Sequence, residues 1–74
     1  MKFRMLDVRP IIARGDEPLP RIRAAVDALA AHEGLTVSAP FLPSPLIEKL
    51  AGEGFRSRVE RRPDGWLTHF WRDE

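Results

Sequence analysis

No cysteine occurs among the 74 residues of the chain. This absence excludes disulfide bonds, thiolate nucleophiles and metal or iron–sulfur centres that cysteine would ligate. The two histidines, His32 and His69, lie far apart in the sequence, so a histidine-rich metal site is not expected, and no carboxylate partner for His69 is evident. The sequence therefore predicts no metal ion and no other cofactor.

The chain also lacks an excess of charge of one sign and a long apolar segment. Twelve basic residues against eleven acidic residues give a formal net charge of +1, far from the excess of a dedicated nucleic-acid-binding domain. No segment approaches the roughly 20 apolar residues of a membrane span, and the N-terminal residues lack a signal-peptide core. We therefore expect a cytoplasmic protein without a membrane partner.

The length and composition predict one globular domain over residues 1–74. An apolar content of 43% and a charged content of 31% are ordinary for a folded domain. A domain of this size buries only about 60% of the surface that its unfolded chain exposes. A deep, water-free active site is therefore hard to build, and a shallow site formed by loops is expected.

Patterning in the first half predicts a strand, a loop and a helix. Apolar and basic residues alternate to about Leu6 or Asp7, which predicts a strand, and a loop is expected over residues 8–17. Apolar residues then recur at three- and four-residue spacing, which is typical of an amphipathic helix. The prolines at 18 and 20 fit its first turn, and it is expected to end near His32, with Gly34 as its stop.

The second half predicts a strand, a helix and a hairpin. A short strand over residues 35–39 leads into a proline-rich loop, where Ser44 is the expected N-cap of a helix that Gly52 or Gly54 closes. Strands are expected over residues 55–62 and 66–72, because the intervening Pro-Asp-Gly is typical of a hairpin turn.

The predicted order is β-α-β-α-β-β, an α/β two-layer sandwich. Right-handed crossovers would place both helices on one face of a four-stranded mixed sheet. The other face would then be open to solvent or to a partner.

Two segments in this order resemble the TusA/SirA-like family of sulfur carriers: Leu6-Asp7-Val8-Arg9 and Glu17-Pro18-Leu19-Pro20. Members of that family carry Leu-Asp-x-Arg-Gly, followed by Cys-Pro-x-Pro at the start of the first helix. The resemblance implies the TusA-like fold over most of the chain. In the family, the cysteine holds a persulfide that the helix N-terminus stabilises.

The sequence departs from that family at the residue that performs the chemistry. Glu17 stands in place of the cysteine, Pro10 replaces the glycine after Arg9, and the intervening loop is longer. A carboxylate cannot form a persulfide, so sulfur transfer by this mechanism is excluded. The segments 39–46 and 54–55 resemble a cysteine-free, uncharacterised branch of the superfamily, which implies no activity.

The leading functional hypothesis is a non-enzymatic binding module. Ligands of such sheets bind beyond the carboxyl ends of the strands, where helix N-termini favour an anion. A small anionic ligand or a protein partner is therefore expected at the loops before the two helices, over residues 7–17 and 40–46. The candidate ligand-binding residues are Asp7, Arg9, Arg14, Glu17, Phe41 and Ser44.

Each of these candidates also has a structural interpretation. Asp7 and Arg9 would brace the long loop by pairing with each other. Glu17 would supply a favourable charge at a helix N-terminus, and Phe41 would fill part of the core. An enzyme with Glu17 as general base ranks last, because no second catalytic group is evident.

The alternative hypothesis is RNA binding on the open face of the sheet. Basic residues interleaved with aromatic residues can contact phosphates and stack on bases. Strand alternation alone leaves open whether Trp66 and Phe70, or Leu67, His69 and Trp71, face outward. The candidate nucleic-acid-binding residues are Arg4, Arg56, Arg58 and Trp71.

Overall fold

The computed structural model describes residues 1–73. Its elements, in chain order, are β1 (Lys2–Asp7), α1 (Arg9–Ala13), α2 (Leu19–Asp27), β2 (Glu33–Ala39), α3 (Ser44–Ala51), β3 (Arg56–Arg62) and β4 (Gly65–Trp71). The four strands form one sheet in the order β1-β2-β4-β3. β1 runs parallel to β2, and β4 is antiparallel to both β2 and β3, which confirms the predicted mixed sheet.

One face of the sheet carries the core. Leu35, Val37 and Ala39 alternate along β2 with the polar residues between them, and the register sets Leu35 opposite Phe70. Phe70 is 0% exposed, and the apolar sides of α2 and α3 pack into the same buried cluster. The helices therefore cover one face, and the other is open, as the sequence predicts.

The predicted loop over residues 8–17 contains a short helix, α1, so that expectation was wrong. Val8 and Ile11 are both buried in the core, and the Ile12 N–H donates to the Val8 carbonyl oxygen at 3.0 Å. Apolar residues at positions 8, 11 and 12 have the three- and four-residue spacing of a helix. Pro10 is tolerated because it lies in the first turn.

The C-terminal end of α2 also differs from the prediction. α2 ends at Asp27 rather than near His32, because residues 30–33 form a separate turn. There the Ala30 N–H donates to Glu33 Oε1 at 2.8 Å, and the Glu33 N–H donates to the Ala30 carbonyl oxygen at 3.0 Å. Gly34 belongs to β2 instead of stopping the helix.

The expected N-cap Ser44 is the first residue of α3, and Pro43 occupies the cap position without a side-chain hydrogen bond. At the other end, Gly54 has a φ of 92°, a conformation that favours glycine. The Phe55 N–H then donates to the Leu50 carbonyl oxygen at 3.0 Å. The helix is therefore closed by glycine, as predicted.

Candidate functional site

An apolar pocket lies where α2 and α3 begin, above β2. Its volume is about 230 Å³, and α1, α2, β2 and α3 all contribute to its wall. Leu19 and Leu46 line it from the two long helices, and Phe41 lines it from the loop between β2 and α3. Among the described residues that form the wall, Lys49 alone is charged. The pocket therefore suits an apolar group.

Prolines shape this pocket and remove hydrogen-bond donors from it. Pro18 and Pro43 occupy the cap positions of α2 and α3, and Pro20 and Pro45 lie one turn or less inside. A helix start normally leaves four N–H groups free, and proline has none. Each start thus loses two of its four donors, so the predicted anion site at the helix N-termini is weaker than the bare topology suggests.

Arg9 is held by two carboxylates of the chain itself. Its Nε and one terminal nitrogen each donate to Asp7 at 2.9 Å, and its other terminal nitrogen donates to Asp64 in the β3–β4 turn. These hydrogen bonds from the guanidinium hold the pKa of Asp7 and the pKa of Asp64 below their ordinary values. The geometry favours the bracing interpretation, since the arginine joins the end of β1 to the hairpin.

The other predicted ligand-binding residues are dispersed. Arg14 pairs with Asp16 at 3.2 Å, and Glu17 and Ser44 are exposed just before α2 and at the start of α3. Phe41 is 50% exposed and lines the apolar pocket. Of the six candidates, therefore, the structure places Phe41 at the pocket and Asp7 with Arg9 in a separate depression beside Asp64.

Three further residues that line the pocket, Ile12, Leu46 and Lys49, were not among the candidate site residues, although Ile12 and Leu46 lie within the loops where a ligand was expected. Ile12 could not be placed because α1 was expected to be a loop. Leu46 and Lys49 lie one turn or less apart on α3, and neither was a candidate ligand-binding residue.

The open face of the sheet carries the aromatic residues that strand alternation left undecided. Trp66 and Phe70 lie opposite Ala39 and Leu35 on the helix side, so Leu67, His69 and Trp71 lie on the open side. Phe3 joins them, with its ring centroid 5.7 Å from that of His69 and 6.3 Å from that of Trp71.

Arg4 does not share this open face with the other candidate nucleic-acid-binding residues. Its register partner is Leu35, and its guanidinium lies 3.6 Å from Glu33. Arg56 forms an ion pair with Asp73. Among residues 1–73, Arg58 is the one arginine on the open face that forms no ion pair. The electrostatic attraction of this face for a polyanion is therefore small.

His69 has two partners on the open face, contrary to the expectation that it has no carboxylate partner. Its Nδ1 is hydrogen-bonded to Thr36 Oγ1 at 2.8 Å, and its Nε2 to Glu60 Oε1 at 2.7 Å. The hydrogen bond from His69 lowers the pKa of Glu60. Thr36 is 5% exposed, so its hydroxyl is poorly placed to reach a substrate, and the trio forms a hydrogen-bonded network that joins β2, β4 and β3.

Comparison with known proteins places the chain in a family. The family model described as "Uncharacterized conserved protein (DUF2249)" matches residues 5–72. The chain belongs to the DUF2249 family. No curated protein and no solved structure matches the chain. The match runs from Met5, within β1, through β4, and it assigns no activity to the pocket or to the open face.

Residues 1–73 contain no group of three or more His, Cys, Asp or Glu side chains placed to hold a metal ion. No helix in the same residues is long and apolar enough to cross a membrane.

Proposed function

We propose that the chain is a non-enzymatic binding module that takes an apolar group into the pocket between the starts of α2 and α3. The observation that carries the proposal is the pocket itself, about 230 Å³ of space walled almost entirely by apolar side chains. An apolar cavity of about 150 Å³ in another protein is large enough to bind benzene. The pocket is therefore large enough for a substituted ring or a short hydrocarbon chain.

The prolines at the helix starts support a site that exists before its ligand arrives. Proline fixes φ and has no side-chain rotamers to order, so Pro18, Pro43 and Pro45 hold their part of the wall without further entropy loss on binding. A preformed wall reduces the free-energy cost of association.

An amide NMR titration of ¹⁵N-labelled protein with indole, a neutral apolar ring compound, tests the proposal. Saturable shifts are expected around residues 12, 19, 37, 46 and 49. Leu19→Trp fills the mouth of the pocket and should abolish them. Leu42→Trp is the matched control, because Leu42 is as exposed as Leu19 (40% and 39%) but does not line the pocket. Absence of saturable shifts, or equal binding by both variants, would overturn the proposal.

RNA binding on the open face remains the second candidate. Its support is the register, which sets Arg56 opposite Trp71 and Arg58 opposite His69, so a basic side chain and a ring that can stack on a base share one surface. The ion pairs of that surface weigh against it.

We also propose that the family is a cysteine-free relative of the TusA/SirA-like sulfur carriers. The support is the element order, the Leu6–Arg9 segment at the end of β1 and the Pro-x-Pro at the start of α2, where Glu17 replaces the cysteine. An experimental structure superposed on a TusA-family carrier tests this, and a different strand order would refute it.

A further inference from the structure

Lys49 places a positive charge in the otherwise uncharged wall of the apolar pocket. It lies in the last turn of α3, four residues after Pro45, so the two residues share a helix face about 6 Å apart along the axis. Both line the pocket. Pro45 therefore has no N–H group to donate a hydrogen bond at its end of the wall, whereas the ammonium group of Lys49 has three at the other end.

The charge of Lys49 is not neutralised by the carboxylate groups around it. Among residues 1–73 its ammonium group forms no ion pair. Glu53, which interacts electrostatically with Lys49, is already engaged by Arg23, which donates to Oε1 at 2.9 Å and to Oε2 at 2.6 Å. That bidentate contact also joins α2 to the end of α3. A negative charge from outside the chain would therefore find Lys49 available.

We infer that the ligand is a small apolar carboxylate, an inference that rests on the function proposed above. The hydrocarbon body occupies the wall between Leu19, Phe41 and Leu46, and the carboxylate lies on Lys49. The free N–H groups of the helix starts, which would be the usual anion donors, are halved by proline. The remaining donors are few, and Lys49 supplies the one positive charge in the wall for recognition of the carboxylate.

A matched pair of probes tests this inference: 4-phenylbutanoate, and 4-phenylbutan-1-ol, which has the same body without the charge. Dissociation constants are measured by amide NMR titration at low salt. An exposed ion pair is worth about 0.2–1 kcal/mol, so the carboxylate should bind about 1.4- to fivefold more tightly. Lys49→Met should remove this preference and Lys49→Arg should keep it. Lys2→Met, at the start of β1, is the control that should also keep it.

The two probes separate failure of this inference from failure of the proposed function. If the alcohol binds the pocket as tightly as the carboxylate, or if Lys49→Met retains the preference, the assignment of Lys49 is wrong and the apolar site stands. If neither compound shifts the pocket residues, both proposals are overturned.

Discussion

Replacing Gly34 with alanine tests how the open face is packed. Gly34 lies opposite Phe3 in the β1–β2 register, and the Phe3 ring crosses over it to reach His69 and Trp71. A Cβ at position 34 would lie 2.5 Å and 2.7 Å from two ring carbons of Phe3 and 2.7 Å from the carbonyl oxygen of Phe70. The glycine is therefore required for space.

Two effects of this substitution lower the free energy of unfolding, and one effect raises it. Displacing the Phe3 ring forfeits its burial. Full burial of such a side chain is worth about 1.5–3 kcal/mol, and Phe3 is 42% exposed, so about 1–2 kcal/mol is lost. The backbone at Phe70 must also shift, which is overpacking at about 1–3 kcal/mol. Alanine recovers about 0.5–1 kcal/mol of the entropy that glycine loses in a strand. The net destabilisation should be about 1–4 kcal/mol.

Urea unfolding followed by tryptophan fluorescence measures this cost, and a double-mutant cycle with Phe3→Ala isolates the ring's share. At about 0.05–0.15 kcal/mol per residue, the 74 residues provide about 4–11 kcal/mol. In the Phe3→Ala background Gly34→Ala should cost about 1–2 kcal/mol less than in the wild type. A neutral Gly34→Ala, or an equal cost in both backgrounds, would refute the described packing.

Three further predictions concern the polar groups. Thr36→Val should destabilise the protein by about 1 kcal/mol, the worth of one hydrogen bond, and should shift the side-chain ¹⁵N resonances of His69. An unshifted His69 would contradict the network. The lowered pKa of Asp7 contributes stability above its unfolded pKa that is lost as pH falls through the folded value. Arg9→Gln should therefore lose less stability than wild type between pH 6 and pH 3 in urea unfolding, and an equal loss would contradict the ion pair. If RNA binds the open face, the one unpaired Arg58 predicts a slope of log affinity against log salt near about −0.7, and a steep slope would show that the ion pairs open.

Much of the fold could be predicted from local patterning. β3 and β4 were expected within one residue of where they lie, because a Pro-Asp-Gly turn fixes a hairpin locally. α1 was missed because Pro10 and Gly15 were interpreted as loop residues. This interpretation was given more weight than the helical spacing of the apolar residues around Ile11. The early end of α2 depends on the Glu33 side chain, whose hydrogen bond to the backbone no periodicity predicts.

Only the location of the candidate site could be predicted from the sequence. The loops before α2 and α3 do form a pocket, and Phe41 lines it. Its apolar character was missed, although the prolines at 18, 20, 43 and 45 already imply missing donors at both helix starts. The Glu60–His69 contact was missed because it is diagonal across β3 and β4, where Glu60 is opposite Leu67.

The pocket between the starts of α2 and α3 is the proposed binding place of an apolar group. Intermolecular nuclear Overhauser effects between the ring protons of 4-phenylbutan-1-ol and the protein's methyl groups test it most directly. Contacts are expected to Val37 and Leu46, which line the pocket. Contacts to Met5 or Leu67 on the open face, with none to those two residues, would contradict it.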